Sequence, residues 1–589
     1  MPNRRSAPEA DVEVPVLVVG AGPAGLALSL SLRHYGIDHL LVERHPGTAH
    51  TPRAHIVNQR TVEILRHLGV SERFHAAATP QRMMRNNLWV TTLAGREVAR
   101  SEAWGTGADR LGEYLASSPE PMANCPQTVL EPLLLEAARE AGADIRFETE
   151  FLELEQDADG VTSTVRDRRT DAVTTVRSQY VVGADGARSR VLAQAGLEVE
   201  GQADLARAVN VWFRADLTRY LAHRPGVLTW NVMPGPLPPL RLGTLICHKP
   251  FTEFVLAFLY DPAVTVLEEL SAAELRARID AVVGEPVEAE ILGVAGWQVN
   301  AQVAPRYQQG RVFCMGDAVH RHPPTNGLGL NMSVADADNL AWKLALSLGG
   351  HAGPALLESY SEERQPVGAA GVRRAITSLH EGAAVDAALG FEPGQSTEDG
   401  WKELEVLYEP GIAGDERRAA LRAAVELSNY QFNAHGVELG YRYESGVLAD
   451  DGVESASEAD PQLFYRPSSR PGTRVPHALL ERDGEALSTL DLVDGLGFAL
   501  LTGCGGEQWA AAAAAVSEEA GVRVDVHVIG GPGGLLDPYG EWSARREVET
   551  TGCVLVRPDR HVAWRARRIE EGSTAELLAA VRQAVGRQR

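Results

Sequence analysis

A glycine-rich turn near the start of the chain has the residue types and the spacing that bind a dinucleotide. It reads Gly20-Ala21-Gly22-Pro23-Ala24-Gly25 and joins a Val-rich strand predicted at residues 16–19 to a helix-compatible stretch. The first glycine permits a tight turn, the second lets the backbone approach a pyrophosphate, and the third lets helix and strand pack closely. Glu43, with Arg44 after it, ends the next predicted strand, where a carboxylate accepts hydrogen bonds from ribose hydroxyls. The turn therefore predicts a dinucleotide site with the phosphates at a helix N-terminus.

Two further aspartates follow predicted strands. Residues 176–182 lead into Asp185, and residues 311–315 lead into Gly316-Asp317. Ligands collect at the carboxyl ends of strands in open α/β sheets, so we expect these aspartates to lie near the first turn. A Pro- and Gly-containing segment comes next and opens a predicted helix; its candidate site residues are Pro324, Gly327, Gly329, Leu330 and Asn331.

Together these three motifs resemble those of the class A flavoprotein aromatic hydroxylases, the family with the p-hydroxybenzoate hydroxylase fold. The resemblance implies that Asp317 binds the ribityl chain of FAD and that the Gly-rich segment directs helix amides at the flavin. A helix N-terminus there would stabilise the negative charge of reduced flavin. The Asp185 motif is associated in the family with both FAD and NAD(P)H. The implied cofactors are thus FAD, with NADPH or NADH as co-substrate.

Within that family the chain is similar to the phenol hydroxylase subgroup that acts on 2,4-dichlorophenol or 2-hydroxybiphenyl. The matching segments are residues 52–65, 125–127, 316–344, 435–439, 470–472 and 555–559. The similarity implies that Arg53 contacts the FAD pyrophosphate and that Gln127 contacts the ribityl chain. It also implies that the carbonyl of Pro324 lies near the reacting flavin.

Three residues are candidates for the chemistry at the substrate. A His at the place of His55 lies near the phenol oxygen in the subgroup, and its near-neutral pKa suits proton transfer. Asn124 stands where the subgroup has an Asp that helps activate the phenol; an amide cannot take a proton. Either His55 acts without that base or the substrate hydroxyl is already acidic, and we favour the second. Lys249 stands where the subgroup has an active-site Arg, with His248 as the alternative occupant and a plain surface Lys as the other interpretation.

The resemblance implies a monooxygenase. NAD(P)H reduces FAD, O2 forms a C4a-hydroperoxide on it, and a ring carbon ortho or para to a hydroxyl takes one oxygen atom. The expected substrate is a phenolic or hydroxy-heteroaromatic compound, such as a hydroxypyridine or a polyketide. Two alternatives stay open at this point: a Baeyer-Villiger or epoxidising flavin oxygenase, and a flavin-binding electron-transfer partner.

The pattern of elements predicts a mixed α/β fold with a Rossmann-like unit, an inserted β-rich domain and a small C-terminal α/β domain. The resemblance implies that these are a GR2-type FAD-binding domain, a substrate-binding domain and a thioredoxin-like domain. The expected boundaries are 11–85, 120–200 and 296–390 for the first, 86–119 and 201–295 for the second, 391–455 for a helical connection, and 456–589 for the third. The last domain has no C-x-x-C pair, so oligomer contacts or structural support are its expected role.

Length and composition limit the number of domains and the kinds of partner that we expect. A chain of 589 residues exceeds what one hydrophobic core supports. A net charge of -23 argues against nucleic acid, which needs clustered Lys and Arg. The five cysteines lie far apart without metal-ligand spacing, and no apolar run reaches the roughly 18 residues of a membrane helix. We expect a cytoplasmic homo-oligomer, dimer or higher, that takes a small aromatic substrate and O2, with no metal, no nucleic acid and no membrane.

Overall fold

The computed structural model describes residues 10–234, 242–452, 459–531 and 533–587. The polar segment 1–9 and residues 453–458 of the expected linker lie outside the described residues. Two large sheets and a smaller C-terminal sheet organise the described part of the chain. The mixed α/β class predicted from the sequence is confirmed.

The first sheet brings the predicted strand ends together. Its strands in spatial order are Gln308–Gln309, Val312–Cys314, Val173–Gly183, Val12–Val19, His39–Val42 and Asp144–Arg146, with Val161–Asp167 and Thr149–Gln156 added beside Val173–Gly183. The five strands from Val312–Cys314 to Asp144–Arg146 run parallel. Val19 pairs with Gly183, and Gly183 pairs with Cys314. The segments that follow these residues therefore leave the same edge of the sheet.

The second sheet is built mainly of antiparallel strands. In spatial order they are His320–Arg321, Glu290–Val303, Glu200–Arg214, Glu253–Tyr260, Thr244–Lys249, Leu228–Asn231, Asn86–Val90 and Glu97–Glu102. Side chains alternate between the two faces. Leu245 and Phe254 lie in one apolar cluster with the helix Ala272–Val283, whereas Trp89 and Ile246 belong to a different cluster that includes Ile56. The face that carries Trp89 and Ile246 therefore packs toward the segment around Ile56.

A third, small sheet joins three chain segments that are far apart in sequence. Its strands are Ile56–Val57, Ala123–Asn124 and Thr79–Pro80. Ile56 pairs with Asn124, and Thr79 pairs with Asn124 on the other side. This pairing places the residue before Ile56 beside the Asn124 side chain.

Helices of very different lengths cover the sheets. Those of the main body are Pro23–His34, Gln59–His67, Ser71–Ala77, Leu111–Ser117, Gln127–Glu140, Arg190–Gln194, Thr218–Leu221, Ala272–Val283, Leu328–Leu348, Pro354–Ala388, Thr397–Val406, Ile412–Leu427, Asn429–Phe432 and His435–Leu439. The helix Leu328–Leu348 is buried over nearly its whole length. It packs on Pro23–His34 and on Pro354–Ala388, so it forms the centre of the molecule.

The C-terminal unit is a small α/β structure. Its main sheet has the order Val524–Ile529, Phe498–Gly503, Cys553–Val556 and Val562–Ala566; a hairpin pairs Leu479–Arg482 with Glu485–Ser488, and the helices are Trp509–Ala520, Glu541–Arg545 and Ser573–Ala584. Buried charges join it to the central helices. Arg557 donates to Glu363 at 2.6 Å, and Lys343 donates to the same carboxylate at 2.7 Å. Removing one member of such a buried pair is strongly destabilising, so the unit is fixed to the main body.

The structure also bears on disulfides, metal sites and membrane helices. The five cysteines are all free, four of them buried and Cys504 exposed. In the described ranges, we find neither a cluster of His, Cys, Asp or Glu suited to a metal ion nor a helix long and apolar enough to cross a membrane.

Candidate active site

The glycine turn lies tightly against the neighbouring strand end and is open on one side. A Cβ atom at Gly20, where φ is +108°, would lie 2.3 Å from the backbone oxygen of Ala184. A Cβ atom at Gly25 would lie 1.9 Å from the oxygen of Gly20. At Gly22, by contrast, no described atom lies within 4 Å of that position. Pro23 then starts the helix Pro23–His34, whose first-turn amides lack intrahelical partners. The open side of the turn suits a phosphate.

Glu43 is held over this turn by two backbone amides. Its Oε2 accepts a hydrogen bond from the amide of Ala21 at 2.8 Å, and its Oε1 accepts one from the amide of His45 at 2.9 Å. Ala21 and Ala24 have buried side chains that pack the turn on the core. Arg44 is exposed, and its Nε donates to the ring of His45. The Glu43 carboxylate is half-buried beside the helix N-terminus, where a ribose attached to a bound phosphate would lie.

Asp185 has a structural use that the sequence did not reveal. Its Oδ1 accepts a hydrogen bond from the Ser189 hydroxyl at 2.5 Å, and its Oδ2 accepts from the amides of Arg190 and Val191 at 2.7 and 3.2 Å. Burial raises the pKa of this carboxyl. The side chain thus fixes the loop whose Ala184 supports the glycine turn. Direct contact between Asp185 and a nucleotide stays a prediction.

The Gly316-Asp317 loop fills the space between two helices. Gly316 has φ of +61°, and a Cβ atom there would lie 2.9 Å from the hydroxyl of Ser333 and 3.3 Å from the methyl of Ala24. The side chain of Asp317 is exposed. It accepts no hydrogen bond from the described residues, so its carboxylate is available to a ligand.

A buried charge cluster that sequence reasoning missed holds this loop. Asp336 Oδ2 accepts a hydrogen bond from the Gly316 amide at 3.0 Å and lies 2.9 Å from His320 Nε2. Its Oδ1 accepts from Arg364 Nε at 2.7 Å. Despite burial, the Arg364 and His320 charges lower the pKa of Asp336. The sequence offered one signal for this cluster, namely that Asp336 stands in a helix rich in Ala and Leu.

The Gly-rich segment forms the second helix N-terminus of the site. Gly327 has φ of +63°, and a Cβ atom there would lie 2.9 Å from Cβ of Ile56. Gly329 lies in the first turn of the helix Leu328–Leu348, and Leu330 anchors that turn through its buried side chain. Pro324 is exposed, and its carbonyl accepts a hydrogen bond from the Gly327 amide at 3.3 Å. The first amides of this helix lack intrahelical partners, as do those that follow the glycine turn.

Asn331 ties this helix to the strand Ile56–Val57, which follows His55. Its Oδ1 accepts hydrogen bonds from the Asn58 amide at 3.0 Å and the Thr61 hydroxyl at 2.7 Å. Its Nδ2 donates to the carbonyls of Ile56 and Gly327 at 3.0 and 2.7 Å. The side-chain amide is therefore fully used inside the protein, and direct contact between Asn331 and the cofactor stays a prediction.

Arg53 and Gln127 lie at the mouth of the site. Arg53 is exposed and forms no ion pair within the described parts of the chain. Gln127 is the first residue of the helix Gln127–Glu140; its amide N–H donates to Ala54, and its side chain donates to Glu131 at 2.6 Å. Glu131 is 2% exposed, and burial raises the pKa of its carboxyl. It therefore fixes the orientation of Gln127.

His55 and Asn124 form a directed pair. Asn124 Nδ2 donates to the carbonyl of Cys247 at 2.9 Å and lies 3.4 Å from the carbonyl of His248. Its Oδ1 lies 3.0 Å from Nδ1 of His55. Because the amide nitrogen faces carbonyls, the amide oxygen must accept, and the proton of neutral His55 belongs on Nδ1. Nε2 of His55 is then an unprotonated acceptor.

The environment of this pair keeps His55 uncharged. Burial lowers the pKa of His55 to about 4, and the hydrogen bond with Asn124 offsets only part of that effect. His248 adds a second buried imidazole, with ring centroids 5.3 Å apart. Its pKa is also lowered, first by burial and then by His55.

Lys249 is not part of this pair, and its expected role toward a phenolate stays a prediction. Its side chain is exposed, whereas His248 is 3% exposed and faces His55. A bulge between Cys247 and Lys249 interrupts the strand pairing there. An ammonium group keeps its hydration by pointing outward at such a position.

These residues fit FAD. Of the three glycines in the turn only Gly22 leaves space, two helix N-termini supply amides, and Glu43 and Asp317 follow parallel strands that end at one edge of the first sheet. Phosphates, ribose hydroxyls and a flavin ring require that set of donors and acceptors.

Comparison with known proteins agrees with the geometry. The FAD binding domain family matches residues 13–375, and the C-terminal family of aromatic-ring hydroxylases matches residues 468–588.

Individual relatives cover almost the whole chain. The 2,4-dichlorophenol 6-monooxygenase of Delftia acidovorans is 43% identical over 97% of this chain and 98% of its own. A putative polyketide hydroxylase of Streptomyces halstedii is 36% identical over 94% and 93%. The crystal structure of the flavin-dependent monooxygenase PieE, in complex with FAD and substrate, has a TM-score of 0.95 and 51% identity over 98% of this chain and 100% of that one.

The fold, the two helix termini and the matched families lead to one assignment. The chain belongs to the class A flavoprotein aromatic hydroxylases and is an FAD-dependent aromatic monooxygenase.

Proposed function

We propose that this monooxygenase hydroxylates a phenolic or hydroxy-heteroaromatic compound, ortho or para to a hydroxyl whose pKa lies below that of a simple phenol. NADH or NADPH is the reductant, and O2 is the oxidant. The observation that carries the proposal is the His55–Asn124 pair, which leaves Nε2 of His55 unprotonated, next in the chain to Ile56, whose side chain packs against Gly327. Relatives named for dichlorophenol and polyketide substrates support this class of compound.

His55 takes the proton of the substrate hydroxyl at Nε2. Asn124 holds the Nδ1 proton in place, so the ring cannot turn or change tautomer without losing that hydrogen bond. Loss of the hydroxyl proton raises electron density on the ortho and para carbons of the ring. A bound, reduced FAD would activate O2, so that one of its oxygen atoms goes to one of those carbons and the other leaves as water.

The weakness of this base indicates the substrate. His55 has a pKa of about 4, and an unperturbed phenol such as Tyr has one of about 10. Full proton transfer between groups so different would cost roughly 8 kcal/mol. A hydroxyl acidified by electron-withdrawing substituents or by a heteroaromatic ring removes most of that cost.

Other residues prepare the site rather than react. The amides at the start of the helix Leu328–Leu348 stabilise negative charge on the cofactor. Apolar side chains of one cluster, among them Ile56 of the small third sheet and Trp89 of the second sheet, limit access of water. The names of the relatives favour hydroxylation over a Baeyer-Villiger or epoxidising reaction and over an electron-transfer role.

The experiment is a kinetic series. The FAD-loaded enzyme is given para-substituted phenols of graded acidity, and substrate-dependent NAD(P)H oxidation and hydroxylated product are both measured. We expect kcat/KM to rise by roughly threefold to tenfold for each unit by which the hydroxyl pKa falls. Equal or better turnover of the least acidic phenols would overturn the proposal.

We also propose a cytoplasmic homo-oligomer with the domain boundaries predicted above. The need for NADH or NADPH and the five unpaired cysteines support a reducing compartment such as the cytoplasm. In the C-terminal unit Leu536 is 52% exposed and Tyr539 is 76% exposed, which favours a subunit contact there. Light scattering after gel filtration measures the oligomer mass, and limited proteolysis tests the boundaries.

A further inference from the structure

One buried side chain beside His55 has polar atoms without a use inside the protein. His248 is 3% exposed, and neither of its ring nitrogens has a hydrogen-bond partner among the residues that the structure describes. A buried polar group left unpaired costs about 1–3 kcal/mol. Native proteins seldom keep such groups without a ligand or water to satisfy them.

The position of His248 is fixed by its backbone. Its carbonyl accepts a hydrogen bond from the Thr79 hydroxyl at 3.3 Å and lies 3.4 Å from Asn124 Nδ2. The same Asn124 amide orients His55. One residue thus sets the places of two imidazoles, whose centroids lie 5.3 Å apart with the planes tilted by 45°.

The surroundings place His248 on the substrate side of the second sheet. Ile246, two residues earlier in the same strand, packs against the cluster that contains Ile56. Ile56 in turn contacts Gly327, the residue before the helix Leu328–Leu348. Leu245, on the opposite face of the strand, packs into a separate core. His248 is the unpaired residue of the bulge that follows Cys247, and its ring lies beside that of His55.

A neutral imidazole at this place supplies recognition rather than charge. It offers one N–H donor and one lone pair. Stabilising a phenolate would need a cation, and Lys249 is exposed instead. Two neutral rings side by side can hold two polar atoms that are neighbours on an aromatic ring.

We propose that His248 hydrogen-bonds a second oxygen or ring nitrogen of the substrate, on the ring position adjacent to the carbon whose hydroxyl faces His55. The inference rests on the proposed function and narrows its substrate class to ortho-substituted hydroxyaromatics. The other ortho carbon or the para carbon is then the position that is hydroxylated.

The test compares two isomers that differ only in where the second oxygen stands. Dissociation constants of 2-methoxyphenol and 4-methoxyphenol are measured by tryptophan fluorescence, and kcat/KM by product formation. In the wild-type enzyme we expect the ortho isomer to bind about tenfold more tightly. His248→Phe is expected to bring the ratio of the two constants to about one, and His248→Gln to restore part of it.

Controls separate this role from a structural one. Leu245→Met lies on the opposite face of the same strand and is expected to keep the ratio of the wild-type enzyme. A wild-type ratio near one, from equal binding or from no binding of either isomer, overturns the inference, as does an equal loss for both isomers in His248→Phe. Failure of the proposed function is a different result: no aromatic compound is hydroxylated, whatever the binding ratio.

Discussion

Oδ1 of Asn124 lies 3.0 Å from Nδ1 of His55, and Nδ2 of the same amide donates to the Cys247 carbonyl. The arrangement fixes the tautomer of His55 without supplying a negative charge. A carboxylate in that place would stabilise the imidazolium through its full negative charge; the amide oxygen offsets only part of the effect of burial. His55 therefore stays neutral and weakly basic.

Exchange of that amide for a carboxylate is expected to strengthen the base. In Asn124→Asp, the new negative charge raises the pKa of His55 from about 4 toward its unperturbed range. The acid limb of the pH profile of kcat/KM then moves to higher pH, and kcat/KM for a simple phenol near pH 8 rises by about tenfold. Stopped-flow or steady-state profiles measure both. An acid limb that does not move would contradict the assignment of His55 as the base.

Alanine substitutions at two glycines of the first turn are expected to affect different properties, FAD binding in one case and folding in the other. Gly22 has φ of -77°, and no described atom lies within 4 Å of a Cβ there, so Gly22→Ala folds normally. Its methyl group would meet the phosphates instead, and the FAD dissociation constant rises at least about tenfold. Gly25→Ala meets the Gly20 oxygen at 1.9 Å and is expected to lose the fold. Thermal unfolding of the apoprotein and flavin titration distinguish the two, and equal FAD affinity of Gly22→Ala and wild type would count against the turn as a phosphate site.

The two aspartates around Gly316 are expected to separate stability from binding. Asp336→Asn leaves buried Arg364 without its carboxylate and costs about 3–5 kcal/mol in the free energy of unfolding. Asp317→Asn changes an exposed side chain and costs under about 0.5 kcal/mol. It nevertheless weakens FAD binding by about tenfold, because its carboxylate is free for the ribityl hydroxyls. Denaturant unfolding and flavin titration give the two numbers, and unchanged FAD affinity in Asp317→Asn would refute its role.

Glu438 is expected to make stability depend on pH. Burial raises the pKa of its carboxyl from 4.5 to about 8, an effect that Arg110 partly opposes and Glu113 reinforces. The folded state therefore holds a proton that the unfolded chain has lost between pH 4.5 and 8. The free energy of unfolding falls across that window, by a few kcal/mol, and levels off above it.

The matched variant is Glu438→Gln. It is expected to remove this part of the decline and to exceed the wild type in melting temperature at pH 8.5, with little difference at pH 5. Parallel pH dependences of the two proteins would show that Glu438 is not the titrating group.

Much of the fold was predictable because local patterns decide it. The strands predicted at 16–19, 176–182 and 311–315 correspond to the strands Val12–Val19, Val173–Gly183 and Val312–Cys314. The glycine turn and Glu43 were predictable because their spacing is set by a single strand-turn-helix-strand unit.

The remaining features of the site depend on contacts between residues far apart in the sequence, which spacing along the chain does not predict. Asp336, His320 and Arg364 meet only when two helices and a loop pack together. Whether His248 or Lys249 faces the site depends on the bulge after Cys247, and one shifted residue reverses the two faces of a strand. The double use of Asn124, toward His55 and toward two backbone carbonyls, was equally outside a local pattern.

The most direct test of the central claim uses isotopically labelled oxygen. The FAD-loaded enzyme, NAD(P)H and an acidic ortho-substituted phenol are incubated under ¹⁸O2, and the product is analysed by mass spectrometry. The account predicts one ¹⁸O atom in a new ring hydroxyl for each NAD(P)H consumed. Reductant consumption that yields only hydrogen peroxide, or a product whose new oxygen comes from water, would contradict it.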